Sequence, residues 1–321
     1  MKPFLVTIDT EGDNIWARPA RLEVRNAECL PRLQRLCEEF GFKPTYLTNW
    51  EMARADAFVR MARQAIAAGT AEVGCHIHAW ASPPEYRLTN DDHRHHPYLV
   101  EYPDDILRAK LRAQTALLED TFGVKMVSHR AGRWAFDARY ARALVDEGYR
   151  VDCSVTPDVS WRAQAGSPAG SGGTDYRGFP SAPYRVDLDD IARPGASTLL
   201  EVPMTTRASW LGRRAPWCYR VPLLRGWASR WMPQVHWLRP TRDNRAELLR
   251  FAAMQSSAPH LEFMIHSSEF LPGGSPYFRD AGEVEYLFES LRALFGRLAA
   301  THVGMTLAEF ERHHAAGAAA Q

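Results

Sequence analysis

Short apolar runs alternate along the chain with longer stretches in which apolar residues recur every three or four positions. The short runs predict seven strands: Phe4–Ile8, Thr45–Thr48, Glu72–Ile77, Lys125–His129, Arg150–Val155, Leu199–Met204 and Glu262–His266. Between them the helical spacing predicts helices over 27–40, 50–68, 104–122, 137–147, 245–256 and 281–299. The first places Leu30, Leu33, Leu36, Cys37 and Phe40 on one face, and Gly41 supplies the stop. Asp137 can cap its helix, and Gly148 ends it. Strands that alternate with helices imply parallel β/α units, and seven of them imply a barrel or a wide open sheet.

The polar residues choose between these. The predicted strands end in Asp9 and Glu11, in His76 and His78, in His129 and Arg130, in Asp152 and in His266. In a β/α barrel the functional groups collect at the C-terminal ends of the strands. Five strands that deliver acids, imidazoles and a guanidinium to one rim point to a barrel with an active site. The whole chain, 1–321, reads as one such domain.

Composition narrows the class. With 45% hydrophobic and 24% charged residues, the chain has the profile of an ordinary globular protein. A net charge of +1 argues against nucleic acid as the main partner. Five scattered cysteines with no CxxC pair give no support to a disulfide framework or a thiolate zinc site, and suit a reducing compartment. No signal-peptide pattern opens the sequence, and no apolar run reaches the length that spans a bilayer. The expectation is a cytoplasmic protein, peripheral at the inner membrane face if it meets a membrane at all. The polar loop at 81–97 and the Gly/Ser/Pro-rich stretch at 163–190 interrupt the β/α pattern, and loops of that length commonly bind something. The tail at 313–321 reads as frayed, its paired histidines solvated.

The stretch TIDTEGD, residues 7–13, drives an apolar strand into three carboxylates. Such a cluster is comfortable only when solvated or answered by a cation. The stretch GCHIHAW, residues 74–80, puts His76 and His78 at i and i+2, on one face of a strand. With one carboxylate they make a two-histidine, one-acid site that leaves positions open for water and substrate, as hydrolytic zinc requires. His93, His95 and His96, in HRHHP, read as a solvated or substrate-contacting loop instead.

These motifs, in this order, resemble the polysaccharide deacetylases, the NodB-homology or carbohydrate esterase family 4 proteins. The resemblance implies a distorted (β/α)7 barrel and one divalent metal, most often zinc, that serves the removal of N-acetyl or O-acetyl groups from sugars. It implies Asp9 as the base and Glu11 as a metal ligand, with Asp13 as a rival ligand. The usual second of two adjacent aspartates is Thr10 here. His76 and His78 would complete the metal set. They stand two apart where the family commonly has four, and Trp80 occupies the usual second position. SHRAGRW places Arg130 to orient the base, with Arg133 and Trp134 as groove wall beside Trp80. VDCSV offers Asp152 to orient the acid, and FMIHSSEF offers His266 as that acid, with Met264 as an apolar wall. The pattern looks most like members that act in O-antigen or surface-polysaccharide assembly, on lipid-linked or nucleotide-linked sugars. N-deformylation, another amide hydrolysis, or an inactive sugar-binding barrel remain open on these residues.

Residues 206–242 contain eight arginines, five of the ten tryptophans and no acidic residue. That composition suits an interfacial segment on anionic lipid, or an outer helix layer whose tryptophans pack inward. Pro216, Pro222 and Pro233 exclude one continuous helix.

Overall fold

A computed structural model describes residues 1–19, 21–166, 170–219, 221, 224 and 232–319. Its frame is a curled sheet of strands β1 (Lys2–Thr10), β2 (Pro44–Thr48), β3 (Glu72–Ile77), β4 (Ser128–Ala131), β5 (Val151–Asp152), β6 (Tyr184–Arg185), β7 (Leu200–Glu201), β10 (Leu261–His266) and β11 (His302–Met305). The order is β10-β1-β2-β3-β4-β5-β7-β6, with β11 also on β1. Every ladder is parallel except β6 on β7. The seven strands predicted from the sequence are the seven parallel strands of the path from β10 to β7. The curl is not closed by a ladder between β7 and β10. Single bonds cross the gap instead: Glu262 N–H donates to Thr205 Oγ1 at 2.8 Å, and His260 Nε2 lies 3.1 Å from the Pro203 carbonyl. A two-stranded ribbon, β8 (Thr206–Ala208) and β9 (Val235–Trp237), lies beside the opening.

Helices cover the outside because one face of each is apolar. The helix Leu30–Glu39 buries Leu30, Leu33, Leu36 and Cys37, as its spacing predicts. Each leucine so buried contributes about 2 kcal/mol. Asp137 accepts from Tyr140 N–H at 2.8 Å and caps the helix Ala138–Asp146. Replacing it by alanine should cost about 1 kcal/mol. Helices Asp104–Phe122 and Ala281–Ala299 have the predicted bounds.

Strand alternation sorts side chains between two cores. Phe4, Val6 and Ile8 of β1 join the outer core beneath the helices. Leu5, Leu47, Val151, Cys153, Leu200 and Val202 form a small second core, which Leu307 and Phe310 of the final helix, Leu307–Ala319, close from below. The described part of the tail belongs to this helix. No helix among the described residues is long and apolar enough to cross a membrane.

The described residues of 206–242 form short pieces. The helix Trp210–Arg214 follows β8, and a 3-10 turn covers Pro216–Tyr219. Trp237 turns inward, 6.1 Å from both Trp134 and Trp161 between ring centres. Trp210 and Trp217 are exposed. Arg225, Arg230, Trp227, Trp231 and Pro222 lie outside the described residues.

Candidate active site

β1 ends at the barrel mouth, where Asp9 pairs in register with His266 of β10. β3 and β4 pair His76 with Arg130. Glu11, His76 and His78 are all buried, and one donor atom from each lies within 4.8 Å of the others. Glu11 Oε2 is 2.9 Å from His78 Nε2 and 3.6 Å from His76 Nε2. His76 Nδ1–H donates to the Arg130 carbonyl at 2.9 Å, which fixes the tautomer and turns the Nε2 lone pair toward Glu11. Glu11 Oε1 is buried without a hydrogen-bond partner. Two imidazole nitrogens and a carboxylate with an unanswered oxygen fit a divalent cation. Borderline donors of this kind suit zinc and its first-row neighbours.

Asp13, the rival ligand, is not among the three donors brought together. Its Oδ1 accepts from Asn26 N–H at 3.0 Å and its Oδ2 from Arg25 N–H at 3.1 Å, which anchors the loop after β1.

Arg130 is the hub of the barrel interior. It is fully buried. Its Nη1 donates to Asp9 Oδ1 at 2.6 Å, its Nη2 to Thr7 Oγ1 at 2.7 Å and to Glu262, and its Nε to the Cys153 carbonyl at 3.1 Å. One guanidinium thus meets two carboxylates. Burial raises the Asp9 carboxyl, but Arg130, His76 and His266 together outweigh it and leave Asp9 below its ordinary value. Burial prevails at Glu262 despite Arg130 and pushes it up to about 7. One cation cannot neutralise two anions, so the pair divides: Asp9 ionised, Glu262 readily protonated. Glu262 was not foreseen. A lone glutamate in an apolar strand looks like a surface position, and its partner lies far away in sequence.

His266 Nε2 sits 3.8 Å from both Asp9 Oδ2 and Glu11 Oε1. Its Nδ1 is 2.8 Å from Glu269 Oε1, and Arg239 Nη2 donates to the same oxygen at 2.7 Å. Glu269 is therefore the residue that orients His266, and Asp152 is not. Val151 and Cys153 belong to the inner core, so Asp152 between them faces outward. There its Oδ1 meets His129 Nδ1 at 2.6 Å, and His129 Nε2 meets the Tyr140 hydroxyl at 2.8 Å. His129 is likewise outside the site. Glu269 could have been read from HSSE, where an acid three residues after a histidine can reach back across one turn.

The cavity above these groups has a volume of about 370 Å3. Asp9, Glu11, His76, His78 and His266 line it below. Trp80, Arg133 and Trp134 are in its wall, as expected, together with Trp16, Trp161 and Tyr277. Met264 is not: it is fully buried in the outer core and reaches no cavity surface. His93 does line the cavity, its ring stacked on Trp80 at 4.0 Å. The wall is rigidly set. Arg133 and Trp134 have left-handed backbones, with φ of 56° and 60°. A Cβ on the preceding Gly132 would stand 2.2 Å from the Ile77 carbonyl oxygen, so only glycine fits there. Each left-handed residue costs roughly 1–2 kcal/mol, a strain that surrounding packing must hold.

No protein-family model and no curated protein matches the chain. Solved structures do. A polysaccharide deacetylase candidate from Mycobacterium smegmatis superposes with a TM-score of 0.54 at 16% identity, over 98% of this chain and 91% of that one. The 4-alpha-glucanotransferase of Thermococcus litoralis gives 0.50 at 12% identity, over 95% of this chain and 39% of that one. A carbohydrate esterase family 4 pseudoenzyme from Bacillus anthracis gives 0.43 at 12% identity, over 97% of this chain and 66% of that one. On the first of these likenesses the chain has the NodB-like barrel fold. Proteins with different reactions share that fold, so the reaction must be argued from the site.

Proposed function

We propose that the protein is a metal-dependent hydrolase that removes an N-acetyl group from a sugar. One observation supports this above the others: a two-histidine, one-carboxylate donor set lies beside an aspartate held by arginine, with a third histidine 3.8 Å across the site. A divalent cation held by Glu11, His76 and His78 would supply polarisation of the acyl carbonyl and a more acidic water.

The chain's own groups then divide the proton work. Arg130 holds Oδ1 of Asp9, which leaves Oδ2 to accept a proton from the attacking water. The same ion pair keeps Asp9 ionised. Glu269 holds Nδ1 of His266, so Nε2 faces the site and can hand a proton to the departing amine. Trp80 and Trp134 offer flat apolar faces to a sugar ring while its polar edge meets the floor. Surface-polysaccharide assembly is the setting we favour, from the likeness of the sequence motifs. Exposed Trp210 and Trp217 beside Arg213 and Arg214 support peripheral contact with anionic membrane.

The test is acetate and formate release from N-acetyl and N-formyl glucosamine derivatives by the zinc-supplied protein. Acetate release that Asp9→Asn abolishes is the expected result. Formate alone would make it a deformylase. Binding without release of either acid would make it a sugar-binding barrel.

A further inference from the structure

Two carboxylates line the cavity, Asp9 and Glu11, and Arg130 and the histidines answer them. Three arginines line it as well: Arg18, Arg133 and Arg239. Arg239 is committed to Glu269. Among the described residues, no carboxylate lies within 4.0 Å of the Arg18 or Arg133 guanidinium.

Both free arginines are aimed by unusual backbone. Arg133 follows Gly132, which the Ile77 carbonyl locks in place, and has φ 56°. Arg18 has φ 51° and closes the 3-10 turn Ile15–Ala17, which also brings Trp16 to 4.8 Å from His266. The guanidinium of Arg133 lies over the Tyr98 ring at 5.3 Å, which steadies it without neutralising it. His93 stands near both: burial first, then the charges of His78, Arg133 and Arg18, push its pKa down to about 4. It is neutral at pH 7 and can donate one N–H.

Two uncompensated guanidinium groups over a sugar-sized aromatic cavity call for an anion on the substrate. We propose that the substrate is an anionic N-acyl sugar, whose phosphate or carboxylate is held by Arg18 and Arg133 while the ring lies against Trp80 and Trp134. This names the substrate class of the hydrolase reading and rests on it. Guanidinium donors grip oxyanions through short charge-assisted hydrogen bonds, which the hydroxyls of a neutral glycan do not match.

The experiment is calorimetric titration of the zinc-supplied Asp9→Asn protein with three probes: N-acetylglucosamine 1-phosphate, N-acetylglucosaminuronic acid and neutral methyl N-acetylglucosaminide. Acetate release is measured in parallel on the wild type. At least one anionic probe should bind about tenfold or more tighter than the neutral one. The better of the two identifies phosphate or carboxylate. Arg18→Gln with Arg133→Gln should erase the preference, whereas Arg133→Lys alone should keep part of it, which guards against a general loss of structure. Equal binding of all three probes, or a preference unchanged in the double glutamine variant, would overturn the proposal. Acetate release without any anionic preference removes the anion site and leaves the hydrolase standing. An arginine-dependent preference with no acid released from any probe does the reverse.

Discussion

Replacing Glu262 by glutamine isolates how the barrel interior divides its charge. The raised Glu262 carboxyl keeps its proton in the folded chain at pH values where the unfolded chain has lost it. Its contribution to stability is therefore fully present below its ordinary value of 4.5 and is lost as pH rises through about 7. Between about pH 5 and about pH 8 the loss integrates to about 2.5 kcal/mol. Glutamine has nearly the same shape, keeps an acceptor for Arg130 and Thr7, and does not titrate. The variant should match the wild type near pH 5 and exceed it by about 2–3 kcal/mol near pH 8. Urea unfolding at the two pH values, with the slopes compared, reads this directly. A variant that follows the wild type at both, or that is less stable at the higher pH, would refute the reasoning. It would show that Arg130 holds Glu262 ionised as well as Asp9, and that a second cation must share the load.

Asp9→Asn should lower acetate release by about 10²–10⁴-fold while metal content is kept, since Asp9 is not a ligand. Glu269→Gln and Asp152→Asn separate the carboxylate at His266 from the one at His129. The first should lower kcat with KM little changed and stability nearly kept. The second should leave turnover largely intact and lower unfolding free energy by about 1–3 kcal/mol, because it disturbs the His129 and Tyr140 bonds. Arg213→Gln with Arg214→Gln should weaken retention on anionic lipid vesicles at low salt; unchanged retention would remove the membrane contact.

The barrel was legible in the sequence because each strand carries its own signal. Seven short apolar runs, five of them ending in chemistry-bearing residues, identify seven parallel strands, and the two 19-residue helices show in full. The missing elements have weaker signals. β11 is HVGM, four residues with a glycine, and depends on β1 for its ladder. β8 and β9 are three residues each and pair across an intervening stretch rich in Arg and Trp. The metal set was readable because HxH on a strand shares a face by period two. Asp152 was misplaced for the same physical reason: the alternation that puts Cys153 inside puts Asp152 outside, where His129 awaits it. Glu262 escaped notice because its meaning lies in a long-range partner, Arg130, that only the folded sheet supplies; Glu269 had a local signal, His266 three residues before it.

Metal content per chain, in the wild type and in His78→Ala, tests the central claim most directly. The donor geometry predicts about one divalent ion per chain in zinc-supplied wild type, lost in His78→Ala and in Glu11→Gln but kept in Asp13→Asn. A wild type that binds no metal when zinc is offered, or a His78→Ala variant that binds as much, would contradict it.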